Sequence, residues 1–273
     1  MSERFVLAMD GGDLVGERWA GGAGATAGSS VVLLHEGIAD RRGWHRVAEL
    51  LAPRVTVVAY DRRGYGESPV SASEFTNAGD LRAVVERETA ERVWLVGASA
   101  GGGLALDAAL LMPERVAGLV LIGTAVSGAP PAELDETEQR IDALFAAAIE
   151  AGDDAEVNRL DMWFWLDGPS SPEGRVGGAA RDLALEMNAI IIGNDAPEDA
   201  GDNGVDAWSR LAEITVPVTV ACGALDARFI VARARELARR LPKAGYVELP
   251  GVAHKPYLEQ PDAVASLIRE AIA

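Results

Sequence analysis

Residues 92–112 read RVWLVGASAGGGLALDAALLM, an apolar run that passes through a glycine-flanked serine into a second apolar segment. The run RVWLV predicts a buried strand, and the segment from residue 102 onward has the period of a helix. Between them, Gly97, Ser99 and Gly101 form the pattern G-x-S-x-G in a strand–turn–helix context. Such a turn needs flanking residues without bulk, and it lifts the Ser99 hydroxyl beside a helix N-terminus that favours negative charge.

Other apolar runs of the same kind recur along the chain. They are short and do not alternate with polar residues, as expected of strands buried on both faces, and they lie at residues 31–34, 55–59, 93–96, 119–122, 216–221 and 246–249. Segments with a helical period separate most of them, at residues 44–51, 78–89, 102–112 and 231–241. Two further short strands and a glycine-rich loop at 21–30 are predicted near the N-terminus. The pattern predicts an α/β fold with a doubly wound, mostly parallel sheet.

The alternation stops between the fourth and fifth of these runs. Residues 126–213 are mostly helical in pattern and contain no convincing strand. We expect them to form a helical cap, inserted into a core made of residues 1–125 and 214–273, that lies over the carboxyl ends of the strands. The alternative is a helical subdomain remote from any site.

Composition excludes several classes of function. The formal charge of -17 repels nucleic acid, and no apolar span is long enough for a membrane helix. The N-terminus has no signal-peptide pattern, so we expect a cytoplasmic protein whose partner is a small-molecule substrate; the oligomeric state is left open. The single cysteine, Cys222, lies in an apolar run, where a buried thiol is the ordinary interpretation.

A serine nucleophile needs a base, usually a histidine that a carboxylate orients. Of the three histidines, His45 lies in a helical segment and His35 at a strand end, and we interpret both as structural. His254 follows the last strand, in a loop at the carboxyl edge of the sheet, and is the predicted base. Asp226 follows the preceding strand, which gives the order Ser99, Asp226, His254 that this architecture uses.

Taken together, the motifs LLHEG, YDRRGYGES, GASAG, CGALD and PGVAHKPYLEQPDAV stand in the order and spacing of a known family. The chain resembles an α/β-hydrolase over residues 5–272, specifically the small serine hydrolases with a helical cap. These include esterases, lactonases, carbon–carbon bond hydrolases and perhydrolases. The resemblance implies attack by Ser99 on a carbonyl, proton transfer by His254, orientation by Asp226 and no metal or organic cofactor.

The resemblance also implies an oxyanion hole. Relatives usually carry His-Gly-X after the first parallel strand, and the backbone N–H of X holds the oxyanion together with the N–H after the nucleophile. Matching His35 to that histidine makes Gly37 and Ala100 the donors and puts Glu36 where glycine is usual. An alignment shifted by one residue makes Ile38 the donor instead.

Glu36 is the clearest departure from the family. A full charge about 6 Å from an oxyanion would oppose it by roughly 3 kcal/mol at an effective dielectric of about 20. If the strand stayed extended, Glu36 could turn away and form a structural ion pair, with candidate partners Arg41, Arg42, Arg62 and Arg63. The alternative is a second carboxylate that binds substrate or positions water.

In the cap, Trp163 and Trp165 are candidate contacts of the acyl group, with core packing as the alternative. The sequence as a whole predicts a serine hydrolase that cleaves a small ester or lactone through an acyl-enzyme. A carbon–carbon bond hydrolase or perhydrolase with the same triad is the alternative enzyme. A ligand receptor on this fold is the alternative outside catalysis.

Overall fold

A computed structural model describes residues 2–22, 30–71, 73–89, 92–194 and 200–273. Most of the glycine-rich loop predicted at 21–30 therefore lies outside the described residues. The described part of the chain contains one sheet, with the strands β1 (Ser2–Leu7), β2 (Leu14–Trp19), β3 (Ser30–Leu34), β4 (Thr56–Tyr60), β5 (Val93–Ala98), β6 (Val116–Ile122), β7 (Val218–Gly223) and β8 (Ala244–Leu249).

The strands lie in the order β1-β2-β4-β3-β5-β6-β7-β8. β1 and β2 are antiparallel to their neighbours, and β3 to β8 pair in parallel. The predicted doubly wound, mostly parallel sheet is confirmed. Because the chain goes from β3 to β4 on one side and crosses to β5 on the other, the strand order reverses between β3 and β5. A crevice for ligands is expected outside the carboxyl ends of these two strands.

Helices connect the strands and cover both faces of the sheet. They are α1 (His45–Leu51), α2 (Asn77–Glu88), α3 (Ala100–Leu111), α4 (Glu136–Ala151), α5 (Asp154–Asp161), α6 (Gly178–Ile192), α7 (Ala207–Arg210), α8 (Arg228–Arg240), α9 (Pro256–Glu259) and α10 (Pro261–Ile272). A 3₁₀ turn, Arg41–Trp44, precedes α1, and a π-helical turn, Met162–Asp167, follows α5. No helix among the described residues has the length and apolarity that crossing a bilayer requires.

Both faces of the sheet are buried, which explains the unalternating apolar runs. In β3, Val31 and Leu33 pack in one cluster with Trp44, while Val32 and Leu34 pack in a second cluster on the other face. All four of these side chains are at most 1% exposed. A polar residue at any of them would be buried without a hydrogen-bonding partner, so a strand in this position must be apolar throughout.

The segment between β6 and β7 contains α4 to α7 and no strand among its described residues. Part of this segment reaches the carboxyl edge of the sheet. Met162, Leu166 and Ala184 form a small apolar cluster, against which Ile38 from the loop after β3 and Leu258 from α9 pack. These contacts place the π-helical turn and α6 beside the loops that carry the predicted site.

The YDRRGYGES segment after β4 is held as a rigid turn by buried charges. The Arg63 guanidinium donates to both oxygens of Asp80, at 2.8 and 2.9 Å, and these side chains are 3% and 4% exposed. Arg63 Nη1 also donates to the Asp10 carbonyl and the Ser71 hydroxyl. The pair therefore ties three segments of the chain together.

Replacing Arg63 by Met is expected to lower the free energy of unfolding by about 3–5 kcal/mol, because it leaves the Asp80 carboxylate buried without its partner. Urea denaturation measures the loss. The matched control is Arg46→Met, because Arg46 pairs with Glu49 on the surface, where both side chains are more than half exposed. Its expected cost is below about 1 kcal/mol. Equal losses in the two variants would show that the buried pair contributes no more than a surface pair.

Candidate active site

The turn from β5 into α3 places Ser99 in a conformation that side chains rarely adopt. Its φ of 49° and ψ of -117° make it the one non-glycine residue with positive φ among those the structure describes. The Ser99 N–H donates to the Ile122 carbonyl at 2.9 Å. The Ser99 carbonyl accepts from the N–H groups of Gly102, Gly103 and Ala125 at 2.9–3.1 Å. These bonds hold the serine at the carboxyl end of the sheet.

Two glycines make this turn possible. A Cβ on Gly97 would overlap the backbone of Gly101, and a Cβ on Gly101 would overlap the carbonyls of Leu34 and His35. α3 can therefore approach β3 and β5 closely only if both positions lack a side chain. The interpretation of these glycines from the sequence is the one that the structure shows.

His254 and Asp226 meet beside this turn. Asp226 Oδ2 lies 2.7 Å from His254 Nδ1, and both residues are buried. Because the carboxylate accepts, Nδ1 carries the proton and Nε2 is left as an acceptor. Asp226 Oδ1 is held by the Ala227 N–H at 2.8 Å. The centroid of a Trp165 ring lies 4.6 Å from that of the imidazole, and the backbone carbonyl of Trp165 accepts from the His254 N–H.

Gly123, at the end of β6, is a packing partner of this pair that the sequence reading missed. A Cβ there would lie 2.9 Å from His254 Nδ1 and Cε1 and 3.3 Å from Asp226 Oδ2. Gly123 also has a φ of 53°. The only signal in the sequence was its place at the end of a predicted strand, next to the strands that end in the site.

The predicted oxyanion donors lie on neighbouring strand ends. In the sheet register Leu34 of β3 stands opposite Gly97 of β5, so the loop after β3 adjoins the serine turn. The N–H groups of Gly37, Ile38 and Ala100 donate to no described residue. A Cβ on Gly37 would meet nothing within 4 Å, so open space lies before it. Both alignments of the LLHEG motif are compatible with this geometry.

Glu36 points into the site rather than away from it. Its side chain is fully buried, Oε1 contacts Lys255 Nζ directly, and Oε2 lies 3.9 Å from His254 Nε2. Apart from these contacts, neither the carboxylate nor the ammonium has a hydrogen-bonding partner among the described residues. The prediction that Glu36 turns away assumed an extended strand. It was wrong because β3 ends at Leu34 and the chain enters a turn at Gly37.

Glu36 does form an ion pair, with Lys255, but the predicted partners were wrong because the side chains of the four arginines bind elsewhere. Arg41 pairs with Asp61, Glu17 and Glu67, Arg42 pairs with Asp40 and Glu186, and Arg63 pairs with Asp80. Arg62 reaches Glu36 only through its backbone, because Nη2 donates to the Glu36 carbonyl at 3.0 Å. The sequence reading missed Lys255, although it directly follows the predicted base.

The remaining predicted residues have structural contacts. His35 Nε2 accepts from the Arg62 N–H, and its Nδ1 donates to the Glu36 carbonyl. Burial and two nearby arginines hold the pKa of His35 well below its usual value, so it stays neutral. His45 is half-buried and contacts Glu17 at 3.0 Å. The Cys222 thiol is buried, and burial raises its pKa. No group of three metal-ligating side chains is found in the described ranges.

A cavity of about 400 Å³ adjoins the serine turn and provides space for a small molecule. Ala100 and Leu104 of α3 line it together with polar side chains, among them Arg62, Asp107 and Asn203. Asn203 donates to Asp107 at 2.8 Å, which fixes that carboxylate at the wall. The cavity has both charged and neutral polar groups in its wall, and it reaches the serine turn at Ala100, whereas Ser99, Gly37 and His254 do not line it.

The two tryptophans predicted as acyl contacts have different surroundings. The Trp165 ring packs against His254 in a tilted arrangement, with 46° between the ring planes, whereas Trp163 donates from Nε1 to the Ser171 carbonyl at 3.1 Å. Neither lines the cavity beside Ala100. Only Trp165 therefore touches a residue of the candidate site.

Comparisons with known proteins find similarity over most of the chain. The family model described as the alpha/beta hydrolase family matches residues 31–267. A Bacillus subtilis protein provisionally named 2-succinyl-6-hydroxy-2,4-cyclohexadiene-1-carboxylate synthase is 28% identical over 257 residues, which are 90% of this chain and 91% of that protein. A pimeloyl-(acyl-carrier protein) methyl ester esterase from Photobacterium profundum is 25% identical over 260 residues, 90% of this chain and 95% of that protein.

Similarity to solved structures extends over the same length. The crystal structure of an esterase from Rhodococcus sp. ECU1013 superposes with a TM-score of 0.76 and 26% identity. The match covers 98% of this chain and 97% of that one. Both the serine turn and the His254 loop therefore lie within the matched region.

The contact between Gly123 and His254 can be tested without a substrate. Gly123→Ala is expected to displace the imidazole, because the added methyl would lie against its ring, and to weaken the bond to Asp226. The downfield proton NMR signal of the His254 Nδ1–H should then shift or disappear. Gly152→Ala is the matched control, because Gly152 has a similar φ of 65° and nothing within 4 Å of the new methyl.

Each alanine is expected to cost about 1–2 kcal/mol in stability through backbone strain, and Gly123→Ala should cost more than the control because its methyl also overlaps the imidazole. Only Gly123→Ala should change the His254 signal. An unchanged signal in folded Gly123→Ala would contradict the packing described for this residue.

Proposed function

The chain belongs to the α/β-hydrolase family, and from this premise we propose that it is a serine hydrolase that cleaves a small carboxylic ester or lactone. The observation that carries the proposal is the strained Ser99 turn at the reversal of the strand order, beside the buried His254–Asp226 pair. A serine held this way costs stability, and such strain persists where the surrounding structure imposes it and function uses it.

The proposed reaction has two halves. Ser99 Oγ attacks the substrate carbonyl while His254 Nε2 takes its proton, and the N–H groups of Gly37 and Ala100 bind the negative oxygen that forms. Collapse of this intermediate expels the alcohol, which receives the proton from His254. Water then attacks the acyl-enzyme with His254 again as base, which releases the acid and restores Ser99. Asp226 holds the imidazole in the tautomer that both halves need.

The cavity beside Ala100 supports a substrate of modest size. Its volume of about 400 Å³ falls within the range of small-molecule sites. The named relative from Photobacterium profundum is a methyl ester esterase and the Rhodococcus structure is that of an esterase, which favours an ester here. We propose that residues 126–213 act as a cap, because Trp165 and the Met162–Leu166 cluster contact the loops that carry His254 and Gly37.

Ser99→Ala is expected to lower kcat for p-nitrophenyl butyrate by at least about a thousandfold, because no other group described in the site can form the acyl-enzyme. A fluorophosphonate probe should label the parent protein and not the variant, with the labelled peptide identified by mass spectrometry. The control is Ser209→Ala, an exposed serine in α7, which should retain both turnover and labelling.

Undiminished turnover in Ser99→Ala would overturn the proposal. The same assay with a δ-lactone separates lactone from open-chain esters. A diketone tests the carbon–carbon alternative, and hydrogen peroxide with acetate tests perhydrolysis. If Ser99 is labelled but only the diketone is turned over, the triad stands and the ester assignment fails.

A further inference from the structure

Glu36 and Lys255 form a buried charge pair in contact with the candidate catalytic base. Both side chains are at most 1% exposed, and the carboxylate has one oxygen on Lys255 Nζ and the other 3.9 Å from His254 Nε2. Nε2 is the nitrogen that the proposed mechanism uses, since Nδ1 is bound to Asp226. The imidazole thus lies between the carboxylates of Asp226 and Glu36, and the Glu36 carboxylate is paired with the Lys255 ammonium.

We propose that Glu36 is a positioning residue that raises the proton affinity of His254 Nε2, and that Lys255 offsets this effect by neutralising the carboxylate. The proposal rests on the proposed function only in its consequence for rate, because the effect on the imidazole is independent of any substrate. A negative charge this close favours the imidazolium, whereas an ammonium on the same carboxylate opposes it.

The other charged groups around His254 do not duplicate this role. Asp226 binds Nδ1, and the Cys222 thiol lies 3.7 Å from Asp226 Oδ2. Glu259 accepts from the Ala253 N–H and pairs with Arg175, so its charge is already balanced. Around Glu36, Arg62 and His35 donate to the backbone carbonyl and not to the carboxylate. Among the described residues, the carboxylate that lies beside His254 Nε2 is therefore that of Glu36.

The choice of a lysine supports this interpretation. The sequence has 25 basic residues, and only Lys243 and Lys255 are lysines. The other interior ion pairs described above use arginine, which keeps its charge in any surroundings, whereas a buried lysine releases its proton readily. Burial lowers the pKa of Lys255 to about 7. The Glu36 carboxylate in contact with Nζ acts in the opposite direction and favours the charged ammonium.

A double-mutant cycle tests the proposal with Glu36→Gln, Lys255→Met and the double variant. The primary readout is the NMR titration midpoint of the His254 Cε1–H signal, assigned by comparison with His254→Gln. Lys243→Met, which removes an exposed lysine, is the matched control and should leave the midpoint unchanged. The second readout is the acid limb of kcat/KM for p-nitrophenyl butyrate.

Glu36→Gln is expected to lower the midpoint, because it removes the carboxylate from Nε2. Lys255→Met should raise the midpoint, since the Glu36 charge is then unopposed and the carboxylate and the imidazole titrate as a coupled pair. In the Glu36→Gln background, Lys255→Met should have little further effect, because burial favours the uncharged amine once the lysine has lost its carboxylate partner. The acid limb should move in the same order.

An unchanged midpoint in Glu36→Gln overturns the proposal, as does a Lys255→Met shift that is equal in both backgrounds. If Lys255→Met fails to fold because it leaves a bare buried carboxylate, Glu36→Gln and the double variant still decide. A failure of the proposed function appears differently: the NMR midpoints would move as expected while no variant, nor the parent protein, turns over the ester.

Discussion

The rest of the site depends on one close approach, that of the α3 N-terminus to β3 and β5. This approach holds Ser99 at positive φ, at a cost of about 1–3 kcal/mol, and excludes a side chain from Gly97 and Gly101. A single Cβ at either glycine would push α3 off the sheet. The Ser99 hydroxyl and the Ala100 N–H would then lose their place beside the loop after β3. The chemistry of this chain thus rests on backbone packing before it rests on any functional group.

The parallel strands concentrate ionisable groups at the same edge of the sheet, because their carboxyl ends all lie there. The loops after β3, β4, β7 and β8 supply Glu36, Asp61, Asp226 and His254, and all of these are buried. Burial opposes charge, and raises the pKa of Asp61 to about 6 even though Arg41 binds it. Pairing is what makes such an edge tolerable. The interior ion pairs are therefore a consequence of the topology that creates the site.

The sequence predicted those features that depend on local pattern. Runs such as 31–34 were recognisable as strands because both faces of the sheet are buried. The turn at Ser99 was recognisable because Gly97 and Gly101 flank the serine in the sequence. The direction of Glu36 depends instead on Lys255, which a different strand brings to the same edge, and no spacing rule connects the two. The alternation rule used for Glu36 applies only while the chain stays extended, and β3 ends at Leu34.

The same charge pair resolves a conflict that the sequence raised. A bare carboxylate after β3 would oppose an oxyanion held by Gly37 by roughly 3 kcal/mol at a separation of about 6 Å, which is comparable to what one oxyanion donor contributes. With Lys255 bound to it, Glu36 presents a dipole rather than a net charge, and the opposition falls. Glycine at this position would avoid the problem altogether. Keeping both charges in the interior carries the free-energy cost of desolvating them. An effect of the carboxylate on His254 accounts for a pair that packing alone would not require.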